Sequence, residues 1–262
     1  MSDILTKINA RKKEEIALRK TQVPVSVLEK SDFFGTPCYS LQKELVKKEA
    51  SGIIAEFKRK SPSKGLINAT SDVVEVTKGY IEAGASALSV LTDTEFFGGS
   101  FEIFSKARSE NRNPMLQKDF IVDEYQVVEA KSFGADVILL IAASLSRTEV
   151  KALAGLACSL GMEVLLEVHN EEELDHYCPE ISLIGVNSRN LKTFDVNIQT
   201  AIDLAPLLPK ETVRIAESGI SNPDIVRILR QQGYKGFLIG ETFMKTADPA
   251  QACRDFIKRL NE

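Results

Sequence analysis

The chain has 262 residues, 44% hydrophobic and 27% charged, with a net charge of −4. This length suits a single α/β domain, about 250 residues being usual for an eight-stranded barrel, and the apolar share is that of a protein with a full core rather than a disordered one. A slightly acidic balance without a long basic tract argues against nucleic acid as a partner, and no segment approaches the ~20 apolar residues of a membrane span or carries a signal-peptide core. Cys38, Cys158, Cys178 and Cys253 are scattered without a CxxC pair, so neither a zinc site nor a disulfide framework is expected, and reduced thiols fit a cytoplasmic protein.

Residues 3 to about 20 place Ile4, Leu5, Ile8, Ile16 and Leu18 among many charges, which predicts a long, mostly exposed helix. A second helical piece over about 40–50 follows a loop containing Phe33, Phe34, Gly35 and Pro37. Residues 1–50 therefore read as an amino-terminal helical extension, with the two aromatics packed beneath it or, as the alternative, lining a pocket.

The stretch IIAEFKRKSPSKG over 53–65 begins as an apolar strand and ends in charge. Side chains of a strand alternate between faces, so Ile54, Glu56 and Lys58 share one face while Ile53, Ala55 and Phe57 share the other. A carboxylate and an ammonium on the same face are costly to bury unless they pair or meet a charged ligand. The loop that follows adds Arg59, Lys60 and Lys64 with the hydroxyls of Ser61 and Ser63, a composition suited to an anion; a solvated basic loop is the alternative.

From Ile53 onward, apolar or β-branched runs recur at 53–58, 86–91, 114–118, 136–142, 163–168, 183–187, 213–217 and 236–240. Between them lie amphipathic stretches such as 72–83, 123–133, 147–160 and 222–232, several closed by a glycine before the next strand. Eight such units favour a closed (β/α)8 TIM barrel over 1–262 as a single domain. A doubly wound open sheet would alternate similarly, but no GxGxxG follows the first strand.

A barrel of this kind builds its active site at the carboxyl ends of the strands. Seven of the eight ends carry polar or ionisable side chains, and only the fourth, ending Ile141-Ala142-Ala143, carries none that ionises. Lys118, Glu167 and Glu217 each follow an inward-spaced apolar residue, Leu116, Leu165 and Ile215. With Glu56 and Lys58 they make three carboxylates and two lysines aimed at one mouth, a set able to shift one another's pKa and to exchange protons near neutrality. Asp119, Ser188 and Asn190 read equally well as caps or loop hydrogen-bonders. Ser218-Gly219 and Gly240-Glu241 stand where many barrels hold phosphate on loop N–H groups, so a phosphorylated substrate follows. His169 and His176 fall in an acidic, helix-like stretch and are expected at the surface. Without HxH or HExxH spacing, no metal and no cofactor are expected.

The segments IIAEFKRKSPSKG, SVLTDTEFFGGS, MLQKDFIVDEYQV, LLEVHN, IGVNSRNL, IAESGI and FLIGETFM resemble, in order and spacing, those of the indole-3-glycerol phosphate synthase family of tryptophan biosynthesis, over nearly all of 53–245. The resemblance implies a (β/α)8 barrel with an extra amino-terminal segment, and a carbon-carbon lyase. Its substrate would be 1-(2-carboxyphenylamino)-1-deoxyribulose 5-phosphate, closed to indole-3-glycerol phosphate with loss of carbon dioxide and water.

By the same resemblance Lys118 is the acid that protonates the ketone oxygen, and Glu167 assists proton removal and dehydration. Lys58 serves as acid, anion ligand or both, Glu56 orients the lysines, Asn187 holds sugar hydroxyls, and Glu217 and Ser218 complete the catalytic set. Phosphate would meet Lys58 and the backbone at Gly219, Gly240 and Glu241, with Ser61 or Arg189 holding loops or substrate. Phe97 and Phe120 match aromatics that line an anthranilate pocket. A monomer acting on a small phosphorylated molecule is expected. The departures, Gln117 before the lysine and Thr242-Phe243 after strand eight, remove no charge, and which side chains of the extension cover the substrate is left open. A phosphoribosylanthranilate isomerase-like barrel would need a Cys and Asp pair, for which no strand-end cysteine is available. A non-catalytic phosphate-binding barrel would have no need of Lys118, Glu167 and Glu56.

Overall fold

The computed structural model describes residues 4–262. Eight parallel strands close into a barrel: β1 (Ile53–Phe57), β2 (Ala87–Leu91), β3 (Met115–Lys118), β4 (Val137–Ile141), β5 (Glu163–Val168), β6 (Leu183–Asn187), β7 (Val213–Glu217) and β8 (Gly236–Ile239). Each pairs with its sequence neighbour, and β8 returns to β1 with Ile54 opposite Leu238. Helices fill the connections, and short polar side chains start most of them. Asp72, Ser100, Asp123, Asn222 and Asp248 each accept from a first-turn N–H, and Ser146 forms a capping box with Glu149. Such caps stabilise a helix by about 1 kcal/mol each.

Strand alternation sorts the core into two shells. Ile54, Ala87, Leu116, Leu139, Leu165, Leu183, Ile215 and Leu238 fill the barrel interior, whereas Ile53, Ala55, Phe57, Leu88, Leu166 and Phe237 pack outward against the helices. The period-two reading of residues 53–58 is therefore what the fold uses.

The extension runs from one end of the barrel to the other. Its first helix, α1 (Ile4–Gln22), buries Leu5, Ile8, Lys12 and Ile16, and Ile16 packs with Leu28 and Tyr125. Farther on, Leu41 and Leu45 close the amino-terminal end of the barrel. There Glu163, at the start of β5, accepts from the Ser40 hydroxyl and the Gln42 N–H, and Asp136 accepts from the Tyr39 N–H.

Two expectations need adjustment. The helix expected over about 40–50 is confined to Leu41–Leu45, because the chain must turn into β1 through Gly52, whose φ of 73° lies in the left-handed region and where a Cβ would overlap the Lys235 carbonyl. The acidic stretch after β5 is a short 3-10 segment, Glu172–His176.

Candidate active site

At the carboxyl end of the barrel lies a cavity of about 850 Å³. Every residue given a catalytic or substrate-binding part by the sequence resemblance lines it: Glu56 and Lys58 with Ser61 from β1 and its loop, Phe97 after β2, and Lys118 and Phe120 from β3. Glu167 comes from β5, Asn187 and Arg189 from β6, Glu217, Ser218 and Gly219 from β7, and Gly240 and Glu241 from β8. Ile4, Leu5 and Ile8 of α1 add an apolar wall, and among the described residues these are the side chains of the extension that reach the mouth. None of the four cysteines lies among the lining residues.

Register explains the convergence. Asn187 pairs with Glu217, Glu167 with Gly185, and Leu91 with Lys118, so the ionisable ends fall at one level. The Lys118 ammonium lies 2.5 Å from Glu217 Oε2 and 3.1 Å from Glu167 Oε2. Glu167 Oε1 accepts from the Asn187 amide at 3.1 Å. Beside them Lys58 Nζ lies 2.7 Å from Glu56 Oε1, and Glu56 Oε2 accepts from the Ser89 hydroxyl at 3.5 Å.

Two glycines make room for this network. A Cβ at Gly185 would overlap Glu217 Oε1, and a Cβ at Gly240 would overlap Glu56 Oε1. Ser218 and Gly219 both have positive φ, 66° and 77°. For serine that conformation is strained and is held only by its surroundings.

The cluster sets its own protonation. Burial disfavours the charge of Lys118, but Glu217 and Glu167, with Glu56 farther off, outweigh it and hold the amine above the ordinary lysine range. Burial also disfavours ionised Glu167; the charges of Lys118 and His169 with the Asn187 hydrogen bond overcome it and hold this carboxyl well below the ordinary range. Glu217 is pushed up to about 7 by burial, a shift that Lys118 reduces and the charge of Glu167 increases. One carboxylate is thus fixed as an anion and the other is poised to titrate.

The Phe97 and Phe120 rings stand 5.9 Å apart at 39°, an edge-tilted pair able to grip a flat ring. Behind them Asp93 accepts from the N–H groups of Phe96 and Phe97, and Asp119 accepts from the Phe120 N–H and from the Thr92 hydroxyl. Asp119 therefore has the hydrogen-bonding role open to it in the sequence. Its counter-ion is Lys12, buried between Asp93 at 2.8 Å and Asp119 at 2.9 Å. Sequence analysis missed Lys12, for which an inward position on α1 among the buried Leu5, Ile8 and Ile16 was the available signal.

His169 corrects an expectation. Rather than lying at the surface, its ring is largely covered, because it stands two residues after Glu167 and so projects to the same side. Nε2 lies 3.3 Å from Glu167 Oε1, and Nδ1 lies 3.1 Å from Glu173 Oε2. The other histidine, His176, faces the carbonyl oxygens of Glu173 and Leu145. Arg189 reaches the Phe194 carbonyl at 3.2 Å and lies 3.8 Å from Glu241, while Lys64 lies 3.7 Å from the same carboxyl group. Among the described residues no His/Cys/Asp/Glu group is arranged to hold a metal, and no helix is long and apolar enough to cross a membrane.

Comparison with known proteins bears on the whole of this architecture. Residues 5–256 match the family described as indole-3-glycerol phosphate synthase. A protein of that name from Bacteroides thetaiotaomicron is 46% identical over 260 residues, spanning 99% of this chain and 100% of the relative. Another, from Acinetobacter baumannii, is 45% identical over 95% of this chain and 93% of its own length. Among solved structures, a thiamine phosphate pyrophosphorylase of Pyrococcus furiosus superposes with a TM-score of 0.60 at 16% identity, over 85% of this chain and all of that one. A mutant tryptophan synthase alpha-subunit from the same organism gives 0.59 at 14%, over 81% of this chain and 98% of the other. At such low identity these two structures speak to the barrel alone. The match from residue 5 to 256, joined to relatives sharing nearly half of their residues along nearly their whole length, places this chain in the indole-3-glycerol phosphate synthase family.

Proposed function

We propose that the Lys118, Glu167 and Glu217 cluster carries out the family's ring closure on 1-(2-carboxyphenylamino)-1-deoxyribulose 5-phosphate. The enzyme is a carboxy-lyase of tryptophan biosynthesis. The aromatic carbon bearing the carboxylate attacks the ketone; the oxygen of that ketone gains negative charge and takes a proton from the Lys118 ammonium. Loss of carbon dioxide returns the electron pair to the ring, and departure of the new hydroxyl as water, with removal of a proton, yields the indole. A lysine held in its charged form between two carboxylates is the observation that supports this assignment, because carbonyl protonation requires a positioned, proton-bearing donor.

Glu167, kept ionised, serves as the proton acceptor of the later steps. Asn187 orders that carboxylate and is within reach of sugar hydroxyls. Glu56 holds the Lys58 amine, leaving it as an anion ligand at the cavity wall, where it meets phosphate together with the N–H groups of Gly219, Gly240 and Glu241. Ser218, fixed in a left-handed conformation, turns the chain so that Gly219 follows. Arg189 and Lys64 offset the Glu241 carboxylate, and Ser61 lies in the loop that edges the same wall. Phe97 and Phe120 receive the anthranilate ring, with Ile8 of α1 above it. A cytoplasmic location belongs to this reading and is supported by four cysteines that remain free.

The test is the appearance of indole fluorescence when purified protein meets the carboxyphenylamino-deoxyribulose phosphate, with product mass as confirmation and Lys118→Ala alongside. Signal from the wild type and almost none from the variant is expected. Saturable binding without product in the wild type would leave a phosphate-binding barrel without this chemistry.

A further inference from the structure

We propose that His169 is a positioning residue for this reaction: as an imidazolium bridging Glu167 and Glu173, it keeps the Glu167 carboxylate ionised and aimed into the cavity. The inference rests on the reading of Glu167 as proton acceptor.

The geometry carries it. Glu167 ends in two oxygens with different duties: Oε2 faces Lys118 at 3.1 Å, while Oε1 is shared by the Asn187 amide at 3.1 Å and His169 Nε2 at 3.3 Å. On its far side the imidazole meets Glu173 Oε2 at 3.1 Å, and the same oxygen accepts from the His169 backbone N–H at 2.8 Å. Glu173 is itself fixed, since its Oε1 accepts from the Asn170 amide and its N–H donates to Asn170 Oδ1. The result is a continuous array, Glu167 to His169 to Glu173, running from the end of β5 to the 3-10 segment after it and ending on a backbone anchor.

His169 is absent from the cavity lining, so its ring touches the carboxylate rather than the space where substrate sits. A neutral imidazole carries one N–H and no charge, whereas the imidazolium presents an N–H to each flanking carboxylate, with Nδ1 hydrogen-bonded to Glu173 and Nε2 in ion-pair contact with Glu167 at 3.3 Å. The two glutamates outweigh the burial that works against this charge and hold His169 up at about 10. The remaining groups facing Glu167 are Lys118 from β3, Glu217 from β7 and Asn187 from β6. Lys118 is also the proton donor, and once it gives up its proton it no longer supplies positive charge. His169 is then the cation left in contact with Glu167, which keeps this carboxylate from rising in pKa ahead of the step in which it must accept a proton.

With only two histidines in the chain, nitrogen-15 NMR of the labelled protein resolves both rings, and His176→Gln assigns them. In the wild type both ring nitrogens of His169 should stay protonated through pH 8. In Glu167→Gln its titration should fall by about one unit or more, as loss of a contacting opposite charge requires. A ring that titrates at the ordinary histidine value in the wild type, or one that Glu167→Gln leaves unmoved, overturns the proposal. In kinetics, His169→Asn should move the acid limb of kcat upward by about one pH unit, a tenfold loss on that limb, while KM changes less than about twofold. A folded variant with an unmoved limb also overturns it. If His169→Asn does not fold, the titration in Glu167→Gln decides alone. Failure of the wild type to turn over substrate would strike the functional reading instead, because the ring titration is read without substrate.

Discussion

Lys12 of the amino-terminal helix lies 2.9 Å from Asp119, the residue next to Lys118, and both side chains are buried. The extension is thereby fastened by charge to the carboxyl end of β3, beside Lys118. Lys12→Met would leave Asp93 and Asp119 without their cation, and breaking a buried pair of this kind costs about 3–5 kcal/mol. Lys20, paired with Asp123 at the surface, is the control: Lys20→Met should cost less than about 1 kcal/mol. Urea unfolding of the two variants compares them directly, and equal losses would refute a buried clamp.

Removal of the Lys118 amine should lower kcat by about 10²–10⁴-fold while KM changes little, since the proposed acid acts chiefly on charge that develops in the transition state. Lys118→Ala should still fold. Glu217, already pushed up to about 7, takes a proton when its counter-ion is gone, so no second buried anion is left exposed to repulsion. Steady-state kinetics joined to a thermal melt checks both statements, and a variant impaired in binding alone would undo the assignment of Lys118 as acid.

Gly185 offers a test that touches no ionisable group. A methyl there would overlap Glu217 Oε1, forcing the carboxylate to turn away from Lys118. Gly185→Ala should lower kcat at least about tenfold, because a displaced group loses its alignment, with an overpacking cost of about 1–3 kcal/mol. Wild-type kcat in this variant would mean that Glu217 tolerates a second position.

Stability should fall as pH rises from 6.5 to about 10. His169 binds its proton more tightly when folded, at about 10 against 6.5, so its contribution is complete below 6.5 and is lost as pH climbs through the folded value. The native state binds more protons than the unfolded state across that window, which sets the sign. The slope from this group is at most about 1.4 kcal/mol per pH unit. Denaturant midpoints at pH 7 and pH 9 should separate in the wild type and draw together in His169→Asn; an equal separation in both would remove His169 as the cause.

Strand positions and the inward face at each strand end follow from local alternation, which is why Glu56, Lys118, Glu167 and Glu217 could be read from the chain before any contact was known. Their apolar predecessors fixed the direction, and the strand ends fixed the level. Residues whose importance comes from distant partners left no such trace. Lys12 is one of several basic residues on α1, and its spacing with Leu5, Ile8 and Ile16 marks it only as inward; its partners, Asp93 and Asp119, come around the barrel to meet it. His169 stood within an acidic stretch that reads as surface, and only its return over Glu167 makes it part of the site. Gly185 looks like an ordinary strand residue until Glu217 arrives beside it from β7. Sequence alone determined the barrel, its family and the strand-end side chains at its mouth, since these depend on short-range periodicity and ordered motifs. The tertiary structure alone decided which charges pair, and hence which carboxylate is held ionised and which titrates, because Coulomb energy and burial depend on distance in space and not along the chain.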